Sequence, residues 1–215
     1  MKIVAASPVR GQQMRLTFED GAQALIDRRT FEESPFEVGS VLTDGQWEQL
    51  QAASGQNRLW ERALYLLSGR SYGKKELADK LRHPRSGPAP TAEQAGQTVD
   101  RMEQLGLLND AEYALRRARD MQAYQLYPRR RIAAELSARG IDRETVQQAL
   151  EQLEGTDQET ARALLQKNYA RKLTEEDGVR RVTDALVRRG FSFEDVRAAL
   201  RTCESLQQEP EETWP

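Results

Sequence analysis

The chain has 215 residues, of which 31% are charged, and its formal net charge is only -2. No stretch is apolar for the roughly 20 residues that a membrane-spanning helix needs, and the N-terminal apolar run is too short for a secretory signal. Cys203, the single cysteine, cannot form an internal disulfide, so we expect a soluble protein of the reducing cytoplasm without a membrane partner.

Charge is unevenly distributed along the chain. The formal net charge is -3 over residues 1–56, +5 over residues 57–203 and -4 over residues 204–215. An excess of five positive charges is modest, because domains that bind DNA through charge alone are usually strongly basic. The middle segment is able to contact phosphate, but its charge does not require a nucleic-acid partner.

Residues 1–56 predict a small β-containing N-terminal extension. The runs KIVAA, QMRLTF and AQALI are short and partly alternating, as half-buried strands are. Asp20-Gly21, between the second and third runs, is a two-residue hairpin signal. A short helix is predicted from Asp27 to Glu33, and Thr43 with Gln46 forms a capping-box pattern before a further helix. Since three strands are close to the limit of independent stability, we expect this β-meander to pack on the helices that follow.

From Asn57 onwards, helical periodicity replaces the strand pattern, and one ten-residue motif occurs three times. The motif, called the decapeptide below, is YGKKELADKL at Tyr72–Leu81, YPRRRIAAEL at Tyr127–Leu136 and DGVRRVTDAL at Asp177–Leu186. Its copies are 55 and 50 residues apart, and self-similarity at such a period indicates a repeat architecture.

Each decapeptide predicts the second helix of a three-helix repeat. Gly140 and Gly190 follow the second and third copies, where a helix ends in the left-handed conformation, and Asp142 and Ser192 then cap the next helix. Repeat 1 instead has the Pro- and Gly-rich insert His83–Pro90, which predicts a loop. The predicted domains are the extension at 1–56, repeat 1 at 57–109, repeat 2 at 110–155, repeat 3 at 156–205 and a disordered acidic tail at 206–215.

The predicted fold class is mainly α, with three tandem three-helix repeats after the β-containing extension. Three short helices bury little apolar surface, so neighbouring repeats should stack to complete a core. The core positions that the decapeptides share are Leu77, Ile132 and Val182, followed one turn later by Leu81, Leu136 and Leu186.

Basic residues cluster at the first turn of each second helix, where the helix dipole favours anions. Two interpretations stay open. A partner that supplies a carboxylate or phosphate there would be stabilised by the side-chain charges and by free backbone donors. Alternatively, these are solvated helix starts whose arginine stems cover apolar surface. The candidate partner-binding residues are these clusters and two further arginine pairs: Lys74, Lys75, Arg129, Arg130, Arg131, Arg180 and Arg181, with Arg116, Arg117, Arg188 and Arg189.

No motif predicts catalysis, a metal site or a cofactor. GRSYGKKE at Gly69–Glu76 differs from a phosphate-binding loop in its glycine spacing, lacks a Ser or Thr after the lysine and follows a helix. His83, the single histidine, has no partner for metal or triad chemistry, and Cys203 has no nearby histidine. We therefore predict that the protein is not an enzyme.

Three segments resemble the RecX family of regulatory proteins, which modulate the RecA recombinase: LGLLNDAEYALRRARD, RRRIAAELSARGIDRETVQQAL and LVRRGFSFEDVRAAL. The resemblance covers about residues 57–201, and its most specific parts are Gly106–Ala114 and Arg188–Phe193. It implies three tandem three-helix repeats in an elongated, curved array, and members with a small β-containing extension also exist. Repeat 1 departs from the pattern, because RHPRSGPAP stands where the other repeats have Arg-Gly.

The resemblance implies that the protein binds the RecA–single-stranded-DNA filament and inhibits its ATP hydrolysis, growth and strand exchange in recombination, DNA repair and the SOS response. We expect a monomer whose basic helix starts, on the concave side of the curved stack, contact acidic surfaces of successive RecA subunits, or phosphate. Two other functions stay open. The first alternative is a sequence-independent binder of single- or double-stranded DNA that acts without RecA. The second is a helical scaffold for an unrelated protein. Direct duplex binding should weaken steeply with salt.

Overall fold

The computed structural model describes residues 1–9, 11–84 and 89–207, the last five of these as helical backbone only. The chain forms two compact units, Met1–Leu108 and Asn109–Pro215. Residues 85–88 of the predicted insert loop and residues 208–215 of the predicted tail lie outside the described residues. None of the helices in the described part of the chain combines the length and the apolar character that crossing a bilayer requires.

The first unit begins with the predicted β-meander. Strands β1 (Ile3–Pro8), β2 (Gln13–Phe18) and β3 (Gln23–Asp27) form an antiparallel sheet in the order β1-β2-β3. The hairpin between β2 and β3 is confirmed, but its loop has three residues and not two, because the Phe18 N–H donates to the Ala22 carbonyl at 2.9 Å. The Asp20 carboxylate accepts the Ala22 N–H at 2.9 Å and stabilises this wider turn.

One long helix joins the sheet to the first repeat. After the short helix α1 (Arg28–Glu32) comes α2 (Asp44–Gly69), which begins with the predicted capping box, since Thr43 Oγ1 accepts the Gln46 N–H at 3.2 Å. Leu50, near the start of α2, packs in the core of the sheet, whereas Leu59 packs in the core of repeat 1. Helix α2 thus runs without a break through residues 56 and 57, where the sequence suggests a domain boundary.

A buried polar network attaches the sheet to the middle of α2. The Asp27 N–H donates to Ser54 Oγ at 2.7 Å, and the Asp27 carboxylate accepts the Thr30 N–H at 3.0 Å. Asn57 Nδ2 donates to Thr30 Oγ1 at 2.7 Å. Because buried polar groups that lose a partner cost free energy, this network fixes the position of the sheet on α2.

The remaining helices form the three predicted repeats, which confirms the mainly α fold. Repeat 1 combines the second part of α2 with α3 (Lys74–Arg82) and α4 (Ala92–Gln104). Repeat 2 contains α5 (Asp110–Gln125), α6 (Arg129–Ala138) and α7 (Arg143–Glu151). Repeat 3 contains α8 (Asp157–Leu164), a π-helical turn (Leu165–Tyr169), α9 (Ala170–Leu173), α10 (Gly178–Arg188) and α11 (Phe193–Gln207).

Each repeat has its own apolar core, built around its second helix. The six core positions predicted from the decapeptides are all confirmed, because none is more than 1% exposed: Leu77, Leu81, Ile132, Leu136, Val182 and Leu186. Residues at i and i+4 lie on one face of a helix, so each pair points from the second helix into the core between the other two.

Glycines and caps separate the helices as predicted. Gly140 and Gly190 have φ values of 85° and 103°, which an L side chain rarely adopts. Asp142 accepts the Thr145 N–H at 2.9 Å, and Ser192 Oγ accepts the Asp195 N–H at 3.0 Å. These caps start the third helices of repeats 2 and 3 at equivalent positions.

Candidate functional site

The second helix of every repeat begins without a side-chain cap. Helices α3, α6 and α10 follow Gly73, Pro128 and Asp177, and none of these residues accepts a hydrogen bond from the helix through its side chain. Glycine and proline have no side-chain acceptor, and Asp177 lies in the left-handed conformation with a φ of 57°. The basic residues of the decapeptides thus lie at helix N-termini that have no side-chain cap and where the helix dipole is positive.

The third position of the decapeptide is structural in repeats 1 and 2. Lys74 Nζ lies 2.9 Å from Glu103 Oε1. Arg129 Nη2 donates to the carbonyl oxygens of Leu153 at 2.9 Å and Gly155 at 2.8 Å. Because Arg129 joins the start of α6 to the segment between α7 and α8, its guanidinium is already committed within the protein.

The start of α6 also receives a carboxylate from the protein itself. The Arg129 N–H donates to Asp157 Oδ1 at 3.0 Å and Oδ2 at 3.2 Å, and Arg129 Nη1 lies 3.7 Å from Asp157 Oδ1. Asp157 is the first residue of α8, in the next repeat. The expectation that a partner fills the backbone donors at the α6 start is therefore wrong at Arg129. The sequence did not identify Asp157, although an acidic residue that opens the next repeat was the available signal.

The fifth position carries cations that have partners in repeats 2 and 3. The Arg131 guanidinium carbon lies 3.9 Å from the centre of the Tyr127 ring, within the range of a cation–π contact. Arg181 Nη2 donates to Glu175 Oε2 at 2.9 Å and to the Glu176 carbonyl at 3.0 Å. These two arginines therefore stabilise the turns that lead into α6 and α10.

Repeat 1 has a glutamate at the fifth position and a cation before the decapeptide. Arg70 Nη2 donates to Glu76 Oε1 at 2.6 Å, and its guanidinium carbon lies 3.9 Å from the centre of the Tyr72 ring. The hydrogen bond to Glu76 raises the pKa of Arg70, so this arginine stays charged at every relevant pH. The Arg70 contact with Tyr72 resembles the Arg131 contact with Tyr127.

The fourth position is different, and it is the same in all three repeats. Lys75, Arg130 and Arg180 are exposed, and none makes a hydrogen bond or ion pair with another described residue. We call these residues the fourth-position cations. The other cations in the first turns of these helices have partners within the protein, so the fourth-position cations are the ones that remain available to an anion: the partnered cations are Lys74, Arg129, Arg131 and Arg181.

The other predicted residues lie on α5 and at the end of α10, not in the first turns of the second helices. Arg116 and Arg117 occupy the middle of α5, where Arg116 is exposed and Arg117 Nε is buried without a hydrogen-bond partner among the described residues. Arg188 is the last residue of α10, and Arg189 is its C-cap. Gly190, directly after Arg189, lies beside the start of α6, since an added Cβ there would be 3.4 Å from Arg131 Cβ and 3.6 Å from Pro128 Cγ.

The chemical groups that the fourth positions offer are exposed cations. In the described ranges 1–9, 11–84 and 89–207, no group of three or more His, Cys, Asp or Glu side chains is placed to hold a metal ion. Lys75 offers an ammonium and the two arginines offer planar guanidinium groups, which bind carboxylates and phosphates. Each of these groups by itself is suited to pair with a carboxylate or a phosphate.

The sequence of the second unit matches two models of RecX domains. These are RecX, second three-helix domain, over residues 109–150, and RecX, third three-helix domain, over residues 156–200. The regulatory protein RecX of Xanthomonas axonopodis pv. citri is 37% identical over 142 residues, which are 66% of this chain and 85% of that relative. The chain belongs to the RecX family. A second RecX, from Caldanaerobacter subterraneus subsp. tengcongensis, is 27% identical over 188 residues, 85% of this chain and 90% of the relative.

Solved RecX structures share the fold. A crystal structure of regulatory protein RecX superposes with a TM-score of 0.68 at 20% identity, covering 91% of this chain and 97% of the other. RecX from Lactobacillus salivarius gives a TM-score of 0.60 at 22% identity, covering 71% of this chain and 99% of the other. The RecX family consists of regulatory proteins, and this chain has a RecX regulatory role.

Proposed function

We propose that this RecX protein binds the RecA–single-stranded-DNA filament as a monomer and inhibits its ATP hydrolysis, growth and strand exchange. The observation that carries the proposal is that the chain belongs to the RecX family. In addition, each of its three repeats has one exposed cation at the fourth position of the decapeptide. Family membership supports the regulatory role, and the fourth-position cations supply the surface for it.

Energetics favour the fourth-position cations over their neighbours as contacts for a partner. Recruiting Arg129 or Arg181 would break hydrogen bonds that hold the start of α6 or α10, and that loss would offset the new contact. Lys75, Arg130 and Arg180 lose only water when they bind. One of them lies in the first unit and two lie in the second, so each unit contributes to the affinity.

At the start of α6, an anion of the partner would contact side chains and not the Arg129 N–H. Asp157 already accepts the Arg129 N–H, so a carboxylate or phosphate of the partner would pair with Arg130 alone at the start of α6. Charge pairs of this exposed kind increase the rate of association more than the final affinity, and salt weakens them. Inhibition should therefore decrease as ionic strength rises.

The test is single-strand-stimulated ATP hydrolysis by the cognate RecA during titration with this protein below one-to-one stoichiometry. The wild type should reduce hydrolysis, and the triple variant Lys75→Glu, Arg130→Glu, Arg180→Glu should relieve the inhibition by about tenfold or more in the required concentration. A matched control carries Arg101→Glu, Arg143→Glu and Arg197→Glu. These residues are also exposed, lie one in each repeat on α4, α7 and α11, and change the charge equally.

Three results would contradict the proposal in distinguishable ways. If the wild type does not change hydrolysis although the filament is assembled, the RecA assignment fails. Equal relief by both triple variants would show that net charge matters and not the fourth position. Binding to naked duplex DNA that weakens steeply with salt, without an effect on RecA, would favour the alternative of a DNA-binding protein that acts alone.

A further inference from the structure

A small cavity in the first unit lies where the end of the sheet meets the middle of α2. Its volume is about 130 Å³, which is too small for a whole cofactor but large enough for one side-chain head group. None of the fourth-position cations lines it. The lining contains two carboxylates, two amides, one arginine and one tryptophan: Asp27, Glu61, Gln12, Asn57, Arg29 and Trp60.

Helix α2 supplies three of these residues from one face. Asn57 and Glu61 are four residues apart and Trp60 lies three residues after Asn57, so their side chains are neighbours on the helix surface. The end of β3 supplies Asp27, and α1 supplies Arg29. Because the buried polar network around Asp27 holds these elements together, the cavity is formed before any ligand binds, and little has to be ordered on binding.

The buried carboxylate of Asp27 has one oxygen that the protein does not use. Oδ1 accepts hydrogen bonds from the Thr30 N–H at 3.0 Å, Thr30 Oγ1 at 3.1 Å and Asn57 Nδ2 at 3.4 Å. Oδ2 accepts no hydrogen bond from any described residue, although Asp27 is only 3% exposed. Oδ2 is not sealed off from solvent, and the cavity that Asp27 lines is the space beside it.

The other polar groups of the cavity are also acceptors without donors. The Asn57 amide donates through Nδ2 to Thr30 Oγ1 at 2.7 Å, but its Oδ1 accepts no hydrogen bond within the described part of the chain. Glu61 is exposed and forms no ion pair with a described residue. Since unused acceptors predominate, the cavity favours a ligand that brings several N–H donors.

The protein does not balance the negative charge of the cavity. Arg29 is the only cation among the described residues that line it. Its Nε donates to Glu33 Oε1 at 2.7 Å, and its side chain is 73% exposed, so this guanidinium lies mostly in solvent. Asp27 and Glu61 therefore have no bonded counter-charge, and a carboxylate as buried as Asp27 is stabilised by a cation that contacts it directly.

We propose that this cavity binds a guanidinium group, which is the head of an arginine side chain in a partner polypeptide. The group donates to Asp27 Oδ2, to Asn57 Oδ1 and to the Glu61 carboxylate, and stacks on the Trp60 ring. Its five donors in one plane match several separate acceptors and an aromatic face better than the three donors of a lysine ammonium do. The small volume admits the head group alone, so the rest of the ligand lies outside.

This site is separate from the fourth-position cations and does not depend on their function. The experiment titrates the full chain with N-acetyl-arginine methylamide and follows the Trp60 indole N–H by NMR. The dissociation constant should be about 1 mM or lower, as one buried head group allows. The citrulline analogue, which has the same shape without the charge, should bind at least about tenfold more weakly.

A second probe identifies the source of the guanidinium group. Ethylguanidinium carries the same head group without a peptide backbone. If the ligand is an arginine of a polypeptide, ethylguanidinium should bind at least about threefold more weakly than N-acetyl-arginine methylamide. Equal binding of the two probes would assign the cavity to a free guanidinium compound, and the polypeptide part of the proposal would be wrong.

Matched variants change the affinity for N-acetyl-arginine methylamide in opposite directions. Glu61→Gln should weaken binding by about fivefold, whereas Glu48→Gln, at another exposed position of α2, should leave it unchanged. Arg29→Gln should strengthen binding by about threefold, because it removes a like charge from the lining. Arg28→Gln is its control, since Arg28 is paired with Glu32 at 2.7 Å as Arg29 is with Glu33 but does not line the cavity.

The variant Asp27→Asn tests the buried carboxylate itself. Asparagine keeps an oxygen that caps α1 but removes the charge, so the preference for arginine over citrulline should be lost. Since this change also affects a buried network, the exposed Glu61 and Arg29 variants provide the test that does not depend on folding. The proposal is overturned if the wild type binds the arginine and citrulline probes equally or binds neither. Equal effects of Glu61→Gln and Glu48→Gln would overturn it as well.

Discussion

The starts of α6 and α10 derive from the same decapeptide but are held in different ways. At α6, Arg129 is bonded to the segment that leads into repeat 3 and to Asp157 of α8. At α10, the equivalent residue is Val179, which is 45% exposed, and Arg181 is bonded to Glu175 of the preceding loop. The comparison shows that the third position is bonded to a distant segment at α6 and is an exposed valine at α10, whereas the fourth position carries an exposed cation in both.

The second position of the decapeptide also differs between the two copies. Helix α6 follows Pro128, whose fixed φ suits a helix start, whereas α10 begins at Gly178. An added Cβ at Gly178 would lie 1.9 Å from the Lys172 carbonyl oxygen. The chain therefore passes so close to the end of α9 that only glycine fits at the start of α10.

The largest effect is expected for Gly178→Ala, which tests whether only glycine fits at the start of α10. The new methyl group would force the α9–α10 turn to move, and we expect the free energy of unfolding of the second unit to fall by about 3 kcal/mol. Urea unfolding measures this change. Gly96→Ala, where the added Cβ is free, is the control and should not destabilise the protein. A Gly178→Ala protein as stable as its control would show that the turn adapts.

The next largest effect is expected at the third position of repeat 2. Arg129→Ala removes two hydrogen bonds to carbonyl oxygens and the ion pair with Asp157, and should lower the free energy of unfolding by about 2 kcal/mol. Arg130→Ala, one residue later, should change it by less than about 0.5 kcal/mol. If urea titration shows that both variants lose the same free energy of unfolding, Arg129 is no more important to the fold than Arg130.

The smallest effect concerns the third helices, which are capped by different residues in the two repeats. The hydrogen bond from the Thr145 N–H lowers the pKa of Asp142, at the start of α7, whereas Ser192 caps α11 without a titratable group of its own. A lowered pKa means that the stabilisation by Asp142 is present above the unfolded pKa and is lost as pH falls through the folded pKa.

Acidification below about pH 4 should therefore loosen the start of α7, and Asp142→Asn should remove that pH dependence while keeping the cap. Amide exchange at Thr145, followed by NMR across this pH range, measures the effect. Retention of the same pH dependence in the Asn variant would assign it to another group.

Local signals account for what the sequence predicted correctly. Ile132 and Leu136 are one turn apart, so their burial follows from the helical period, and Gly140 has the positive φ expected at a helix end. Local signals of this kind do not predict the pairing of Arg129 with Asp157. A sequence shows both charges but not that the fold brings residues 28 positions apart into contact.

The candidate site was predicted at the level of the cluster and not of the single residue. Among Arg129, Arg130 and Arg131, the sequence offers no sign that the middle arginine is the exposed one. That difference arises from packing, because Tyr127 lies under Arg131 and the segment before α8 lies beside Arg129. Partners distant in sequence therefore decide which cations remain available.

Helix α2 imposes a constraint on how RecX proteins with this extension arise. At about 1.5 Å per residue its 26 residues span roughly 39 Å, and its two ends belong to different cores. A gene rearrangement that joined an extension to repeat 1 at residue 57 would divide this helix and separate Asn57 from Thr30, to which it donates a hydrogen bond. Exchange between lineages therefore has to take the sheet together with the whole of α2.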